Sequence, residues 1–208
     1  MMNSSTDPYS TNHGPPPGGN WFLGLAVSEN VRLALARAQA ALRPAAEAAG
    51  ASCSWVHPED FHVTVLFIGP WRSDRAAALA GAADAAAKRA AGFDLRVGGV
   101  GCFGPPRAPR ILWAGVDVPE ILQRIRADCI ENLSHSGLFP DDRPYRPHLT
   151  LARVRSRPRG LSLTEGLRRL QDEQFGFVPV RDLRVMRGVP GARGPRYRTE
   201  WVAPLTGE

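Results

Sequence analysis

Apolar and polar positions along the chain alternate in short runs separated by stretches of helical spacing, and the order of these runs repeats. Trp21 to Val27 is an apolar run that predicts a first strand, and Glu29 to Ala49 is an Ala/Leu-rich amphipathic helix closed by Gly50. Ser54-Trp55-Val56 and the turn His57 to Asp60 lead into a strand from Phe61 to Ile68, which stops at Gly69-Pro70; Ser73 then caps a helix reaching about Ala91. The second half follows a similar plan. Phe93 to Val100 is strand-like, Cys102 to Pro109 is a Gly/Pro loop, Arg110 to Val116 is a strand, and a helix from Pro119 to Ser136 is closed by Gly137. Phe139 to Pro147 leads into a strand from Pro147 to Val154, followed by the basic loop Arg155 to Gly160 and a short helix from Thr164 to Glu173. Phe175 to Arg187 and Arg196 to Ala203 are the closing strands. This alternation predicts an α+β or α/β sheet covered by helices on one side.

The two strands at the centre of the halves carry the same motif, His62-Val63-Thr64-Val65 and His148-Leu149-Thr150-Leu151. Side chains at i and i+2 of a strand share a face, so each motif aims one imidazole and one hydroxyl one way and two apolar residues the other. A lone histidine in an apolar strand is as often core as functional, but the repetition of His-x-Thr-x points to a shared site. Two imidazoles titrating near neutrality and two hydroxyl donors suit acid–base chemistry on an oxyanion such as a phosphodiester. Arg146, two residues before His148, shares that face if the strand register extends so far, which makes it a candidate phosphate contact.

Composition sets the remaining bounds. With 208 residues and 43% hydrophobic content the chain has enough apolar material for one large domain or two lobes. No apolar run reaches the ~18 residues of a membrane span. Residues 1–19, with the run Gly14-Pro15-Pro16-Pro17-Gly18-Gly19, read as a disordered tail and not as a signal peptide, leaving 20–205 as the folded unit. Cys53, Cys102 and Cys129 are odd in number and form no C-x-x-C pair, which argues against a disulfide framework, favours the cytoplasm and leaves no zinc-ligand spacing. No metal or cofactor is expected. The net charge is +6, and Lys88 is the only lysine among 26 cations. Excess arginine suits phosphate recognition, although an Ala/Gly/Pro-rich chain with so much arginine also looks like GC-rich codon bias.

Taken together, the paired motifs, Arg143-Pro-Tyr-Arg-Pro-His-Leu-Thr-Leu-Ala-Arg153, Trp55-Val-x-Pro-Glu-x-Phe-His62, Gly69 and Arg110-Ile-Leu-Trp-Ala-Gly115 resemble the two-histidine phosphoesterase superfamily. Within it the chain is similar to the bacterial and archaeal RNA 2′,3′-cyclic phosphodiesterases, also called 2′-5′ RNA ligases or LigT-like proteins. The resemblance covers about residues 20 to 205 and implies an α+β fold of two pseudo-symmetric lobes of antiparallel sheet, with the motif strands across a central cleft. It implies metal-independent hydrolysis of a terminal 2′,3′-cyclic phosphate to a 2′-phosphate, with His62 as general acid on the 3′ oxygen and His148 as general base for water. Reverse 2′-5′ ligation would be a minor activity of the same site. Relatives commonly have a basic residue where Asn20 stands.

The residues themselves leave several assignments open. Thr64 and Thr150 are suited to donate to the non-bridging oxygens. Tyr145 and Phe22 are candidates for stacking on a base, with core packing as the alternative. Arg153, Arg155, Arg157 and Arg159 form either an RNA-tracking edge or a solvated basic loop. His57 reads as turn structure, His13 lies in the tail and His135 suits a helix C-terminus. The expected partner is RNA ending in a 2′,3′-cyclic phosphate, tRNA fragments included, acted on by a monomer without a membrane. An RNA-end-binding module without turnover, and a phosphodiesterase for small cyclic nucleotides or 2′-5′ oligonucleotides, are the alternatives.

Overall fold

The structure is a computed structural model that describes residues 19–70, 75–105, 107–138, 144–156, 158–191 and 196–207. The N-terminal tail through residue 18, the Ser73 cap, Phe139 to Arg143 and Arg157 lie outside the described residues. In chain order the elements are β1 (Asn20–Ala26), α1 (Glu29–Ala48), β2 (Cys53–Trp55), β3 (His62–Pro70), α2 (Ala76–Lys88), β4 (Phe93–Phe103), β5 (Ile111–Val116), α3 (Glu120–His135), β6 (His148–Val154), α4 (Ser162–Arg169), β7 (Gln174–Val180), β8 (Asp182–Val189) and β9 (Arg196–Pro204).

Local sequence accounts for most of these boundaries. Helix α1 buries Val31, Leu35, Ala38, Leu42 and Ala46, spaced at three and four so that one stripe faces the core, and the chain turns out of it at Gly50 with φ of 61°. Strand β3 runs on through Gly69-Pro70 because β1 pairs with it as far out as Asn20. Strand β4 likewise extends to Phe103, into the segment that composition alone reads as loop, since Cys102 and Phe103 pair with Leu112 and Ile111. The short helix lies at Ser162–Arg169, earlier than the sequence pattern suggests, burying Leu163 and Leu167.

The segment Phe175 to Arg187, which alternates like one long strand, is two. β7 pairs with β4 at one edge of the sheet, whereas β8 pairs with β1 near the other, and only Arg181 separates them. The sheet order is β7-β4-β5-β6-β3-β1-β8-β9, with β2 also on β6, and every pairing is antiparallel. Strands joined by one residue yet placed toward opposite ends of the order require the sheet to curl back on itself.

Two halves, β3-β1-β8-β9 and β6-β5-β4-β7, are related by a pseudo-two-fold whose axis passes between Val63 and Leu149, the one residue pair linking β3 to β6. Helices α2 and α3 pack together over the first half and α1 and α4 over the second, enclosing one continuous core in which Leu23, Leu25, Val63, Leu149 and Leu151 are fully buried. Each such side chain contributes about 1.5–3 kcal/mol of burial. With the apolar members of both motifs committed to the core, their histidines and threonines are left on the opposite, open face.

Candidate active site

His62 and His148 begin their strands and are held alike. The Nδ1 of His62 lies 2.8 Å from the carbonyl oxygen of Asp60, and that of His148 lies 2.7 Å from the carbonyl oxygen of Arg146. A carbonyl only accepts, so both Nδ1 atoms carry the hydrogen, and in the neutral rings the Nε2 lone pair is left for the cleft. Antiparallel pairing of Val63 with Leu149 runs His62 toward Thr150 and His148 toward Thr64, so each imidazole is associated with the hydroxyl of the other motif.

Aromatic rings fix both imidazoles. Phe22 stacks on His62 with centroids 4.6 Å apart and an interplanar angle of 27°, and Tyr197 meets its edge at 4.5 Å. Phe103 meets His148 edge-on at 4.8 Å. Asp60, 4% exposed, braces the first side: one carboxylate oxygen accepts from the Tyr197 backbone N–H at 3.2 Å and the other forms an ion pair with Arg196 without hydrogen-bond alignment. The acid thereby ties the start of β9, and with it the Tyr197 ring, to the turn that carries the His62 anchor.

Both motif strands contain a bulge at the same place. Leu23 pairs with Leu66 and Gly24 with Thr64, leaving Val65 extra; Leu112 pairs with Ala152 and Trp113 with Thr150, leaving Leu151 extra. Val65-Leu66 and Leu151-Ala152 are therefore consecutive buried pairs, and the residue after each pair returns to the cleft face. Those residues are Phe67, 39% exposed and paired with Phe22, and Arg153, half-buried and paired with Ser54 and Ile111. The bulged carbonyl of Leu151 is satisfied by the Val56 N–H at 2.9 Å and by the buried amide of Gln39 at 2.8 Å, which also donates to the Val56 carbonyl at 2.9 Å. Sequence reading missed Phe67 and Gln39, and it left Arg153 in an undivided basic run. The signal was present as a doubled apolar residue, which breaks the alternation at the same offset in both motifs.

The electrostatics of the site favour neutral rings. Burial pushes the His62 pKa down to about 4, assisted by His148 and Arg153, while the Asp60 carbonyl and carboxylate oppose the shift. Burial also lowers His148, again with Arg153 assisting and the Arg146 carbonyl opposing. Each ring keeps an open edge although it lies deep among protein atoms.

Several expected contacts fall elsewhere. Phe22 is 4% exposed, with one ring face against His62 and a T-shaped contact to Tyr197, so it supports the His62 imidazole and offers no open face to a base. Tyr145 donates to the Thr64 carbonyl at 3.3 Å, lies under the Arg126 guanidinium at 4.9 Å and packs on the core; burial raises its pKa. It braces the first motif from behind and is not free to stack. Arg146 precedes β6, which starts at His148, so the strand-register argument for its side chain fails: its carbonyl anchors His148 and its side chain is exposed. Trp113 lies across Gly101, where a Cβ would come within 2.4 Å of the indole, and so fills the floor beside Thr150. Among the described residues no group of three or more His, Cys, Asp or Glu is placed to hold a metal, and no helix is long and apolar enough to cross a membrane.

Fold and site together define a protein with two histidine–threonine strands paired across a pseudo-two-fold cleft, a two-histidine phosphoesterase. The chain belongs to the 2′-5′ RNA ligase superfamily, whose family model matches residues 29–189. It is 32% identical over 161 residues to the RNA 2′,3′-cyclic phosphodiesterase of Aeropyrum pernix, covering 77% of this chain and 90% of that protein. A 41% identical match to the RNA 2′,3′-cyclic phosphodiesterase of Geobacillus stearothermophilus spans 100 residues, 48% of this chain and 32% of that longer protein. The crystal structure of TT0787 of Thermus thermophilus superimposes with a TM-score of 0.75 at 25% identity, covering 91% of this chain and 99% of that one.

Proposed function

We propose that this protein is an RNA 2′,3′-cyclic phosphodiesterase that opens a terminal cyclic phosphate to a 2′-phosphate with its two histidines and no metal. The observation that carries the reading is the pair of imidazoles, each pinned through Nδ1 to a backbone carbonyl so that Nε2 meets the cleft, each with a threonine two residues on. The names of the relatives point the same way.

In the proposed reaction His148 Nε2 takes a proton from water as its oxygen attacks phosphorus. The bond from phosphorus to the 3′ oxygen breaks on the opposite side, and His62 Nε2–H delivers a proton to that oxygen, leaving a 2′-phosphate and a 3′-hydroxyl. Each transfer is worth roughly 10²–10⁴ in rate. Thr64 and Thr150 donate to the non-bridging oxygens as charge accumulates there. Arg153 supplies the cation at the cleft face, and exposed Arg146 adds a more screened one. Phe67 presents the aromatic surface on which a base can stack.

A general acid must enter the cycle protonated, whereas burial holds the His62 pKa down at about 4. The acid role at His62 therefore requires the anionic cyclic phosphate to restore its proton on binding. One observation favours the reverse assignment: His62 is the ring driven far from its ordinary value, which suits a neutral base, leaving His148 as the acid.

The test is incubation with an oligoribonucleotide ending in a 2′,3′-cyclic phosphate, in EDTA, with the product assigned by phosphorus NMR. A 2′-phosphate supports the proposal; a 3′-phosphate, or a requirement for a divalent ion, overturns it. Finer parts of the same proposal are that tRNA fragments supply the ends and that a cytoplasmic monomer acts on them; sedimentation and sequencing of RNA ends from a deletion strain test these. The reverse 2′-5′ ligation is proposed as a weak activity of the same site, read by joining of a 2′,3′-cyclic end to a 5′-hydroxyl end.

A further inference from the structure

The geometry points to a single-stranded RNA track on the second lobe, leading from the cleft past Arg153 to Arg155, Arg159 and Arg107, along which the strand 5′ to the cyclic phosphate lies. This inference rests on the proposed phosphodiesterase reading and extends it from the terminal nucleotide to the body of the substrate.

Continuity with the cleft face comes from the strand pairings. Ser54 of β2 pairs with Arg153 and so shares its face, and the Ser54 hydroxyl accepts from Arg155 Nε at 3.0 Å, which draws the Arg155 side chain over that same face. Described residues beyond it are tied to the protein: Arg155 N–H donates to the Ser52 carbonyl at 2.7 Å, Ser52 N–H to the Ser156 hydroxyl at 2.8 Å, and Arg159 N–H to the Ala49 carbonyl at 2.7 Å. Arg107, on the β4–β5 loop, lines a shallow hollow with Pro158, Gly160 and Leu161, so a second loop brings its cation to the same end. The seven residue steps of near-extended chain from His148 to Arg155 span about 20 Å, well beyond one nucleotide.

Charge distinguishes this end from the other. Residues 98–116 and 144–161 contain no Asp or Glu, and among the described residues Arg107, Arg153, Arg155 and Arg159 have no carboxylate partner. On the sheet of the first half the strand arginines are paired: Arg184 with Asp182 at 2.6 Å, Arg187 with Glu200 at 2.9 Å, Arg198 with the same Glu200 at 3.8 Å, and Arg196 with Asp60. An arginine without a carboxylate partner can neutralise a phosphate and free the counterion condensed on it, whereas a paired one must first give up its carboxylate. A fixed, one-signed surface beginning at the catalytic face fits a flexible phosphate backbone.

The test compares a pentaribonucleotide ending in a 2′,3′-cyclic phosphate with the corresponding cyclic mononucleotide, using the full chain, the double variant Arg155→Ser/Arg159→Ser, the separate variant Arg107→Ser and the charge-preserving Arg155→Lys/Arg159→Lys. Thermal melts confirm that each is folded, and Arg107→Ser, which breaks no bond to Ser54, serves if the double variant is not. For the double variant kcat/KM on the pentamer is expected to fall about tenfold through KM, and its slope against salt to flatten by about 1.4 for two lost cations. The mononucleotide stays within twofold of wild type, and the lysine variant retains most of the pentamer activity. Equal losses on both substrates, or no loss on the pentamer, overturn the track. If wild type turns over neither substrate, the phosphodiesterase reading fails by itself, and pentamer affinity by fluorescence anisotropy decides the track: weakened in the variants it stands, unchanged it falls.

Discussion

Replacing His62 by glutamine turns the desolvation of this ring into a stability measurement. In the folded protein His62 titrates at about 4, against 6.5 in an unfolded chain. Between these values the unfolded chain binds a proton that the native state refuses, so stability falls as pH drops from about 6.5 toward 4 and is level above and below. At pH 4.5 the full shift corresponds to roughly 2–3 kcal/mol, and the ring's open edge reduces the expected effect to about 1–2 kcal/mol. Glutamine is close to the ring in length and has no proton to gain. Urea titrations of both proteins at pH 7.5, 5.5 and 4.5, with the carboxylates common to each, isolate the histidine. The difference in unfolding free energy, wild type minus variant, is expected to decline by that amount across the series. A difference that stays flat with pH would refute the claim that the fold holds this ring desolvated and neutral.

Gln39→Leu removes the amide that donates to the bulged Leu151 carbonyl and to the Val56 carbonyl, and is expected to cost about 1–3 kcal/mol in chemical denaturation, with a larger KM than kcat effect because Arg153 loses its aim. Asp60→Ala releases Arg196 and the Tyr197 edge from His62, so its pH–rate profile should shift as well as its rate, whereas loss of stability alone would leave the profile in place. Thr64→Val and Thr150→Val are each expected to lower kcat by about tenfold or more with little change in melting temperature, as removal of a transition-state donor requires. Gly101→Ala forces a Cβ into the Trp113 indole and should destabilise by about 1–3 kcal/mol, read by thermal unfolding.

The paired motifs were legible because strand periodicity alone decides which motif residues enter the core: Val63, Val65, Leu149 and Leu151 are buried, and the polar members face the opposite way. Helices α1 and α3 were legible for the same kind of reason, with Gly50 and Gly137 taking positive φ where the pattern ends. The division of Phe175 to Arg187 was not, since alternation continues through Arg181 and only long-range pairing sends β7 and β8 to different partners. Arg153 and Phe67 were hidden by the bulges, which change the phase of the strand after the motif. Phe22 and Tyr145 had the right residue type for base contact, but their positions beside His62 and behind Thr64 commit both rings to the protein.

The account's central claim, two imidazoles acting on opposite sides of one phosphorus, is tested most directly by a cyclic substrate in which sulfur replaces the 3′ bridging oxygen. A thiolate leaves without a proton, so the variant lacking the acid should recover most of its lost rate on it, while the variant lacking the base stays impaired by roughly 10²–10⁴. Rescue of His62→Ala alone is the predicted result, and rescue of His148→Ala alone would exchange the two roles. Equal rescue of both variants, or of neither, would contradict acid–base catalysis by this pair.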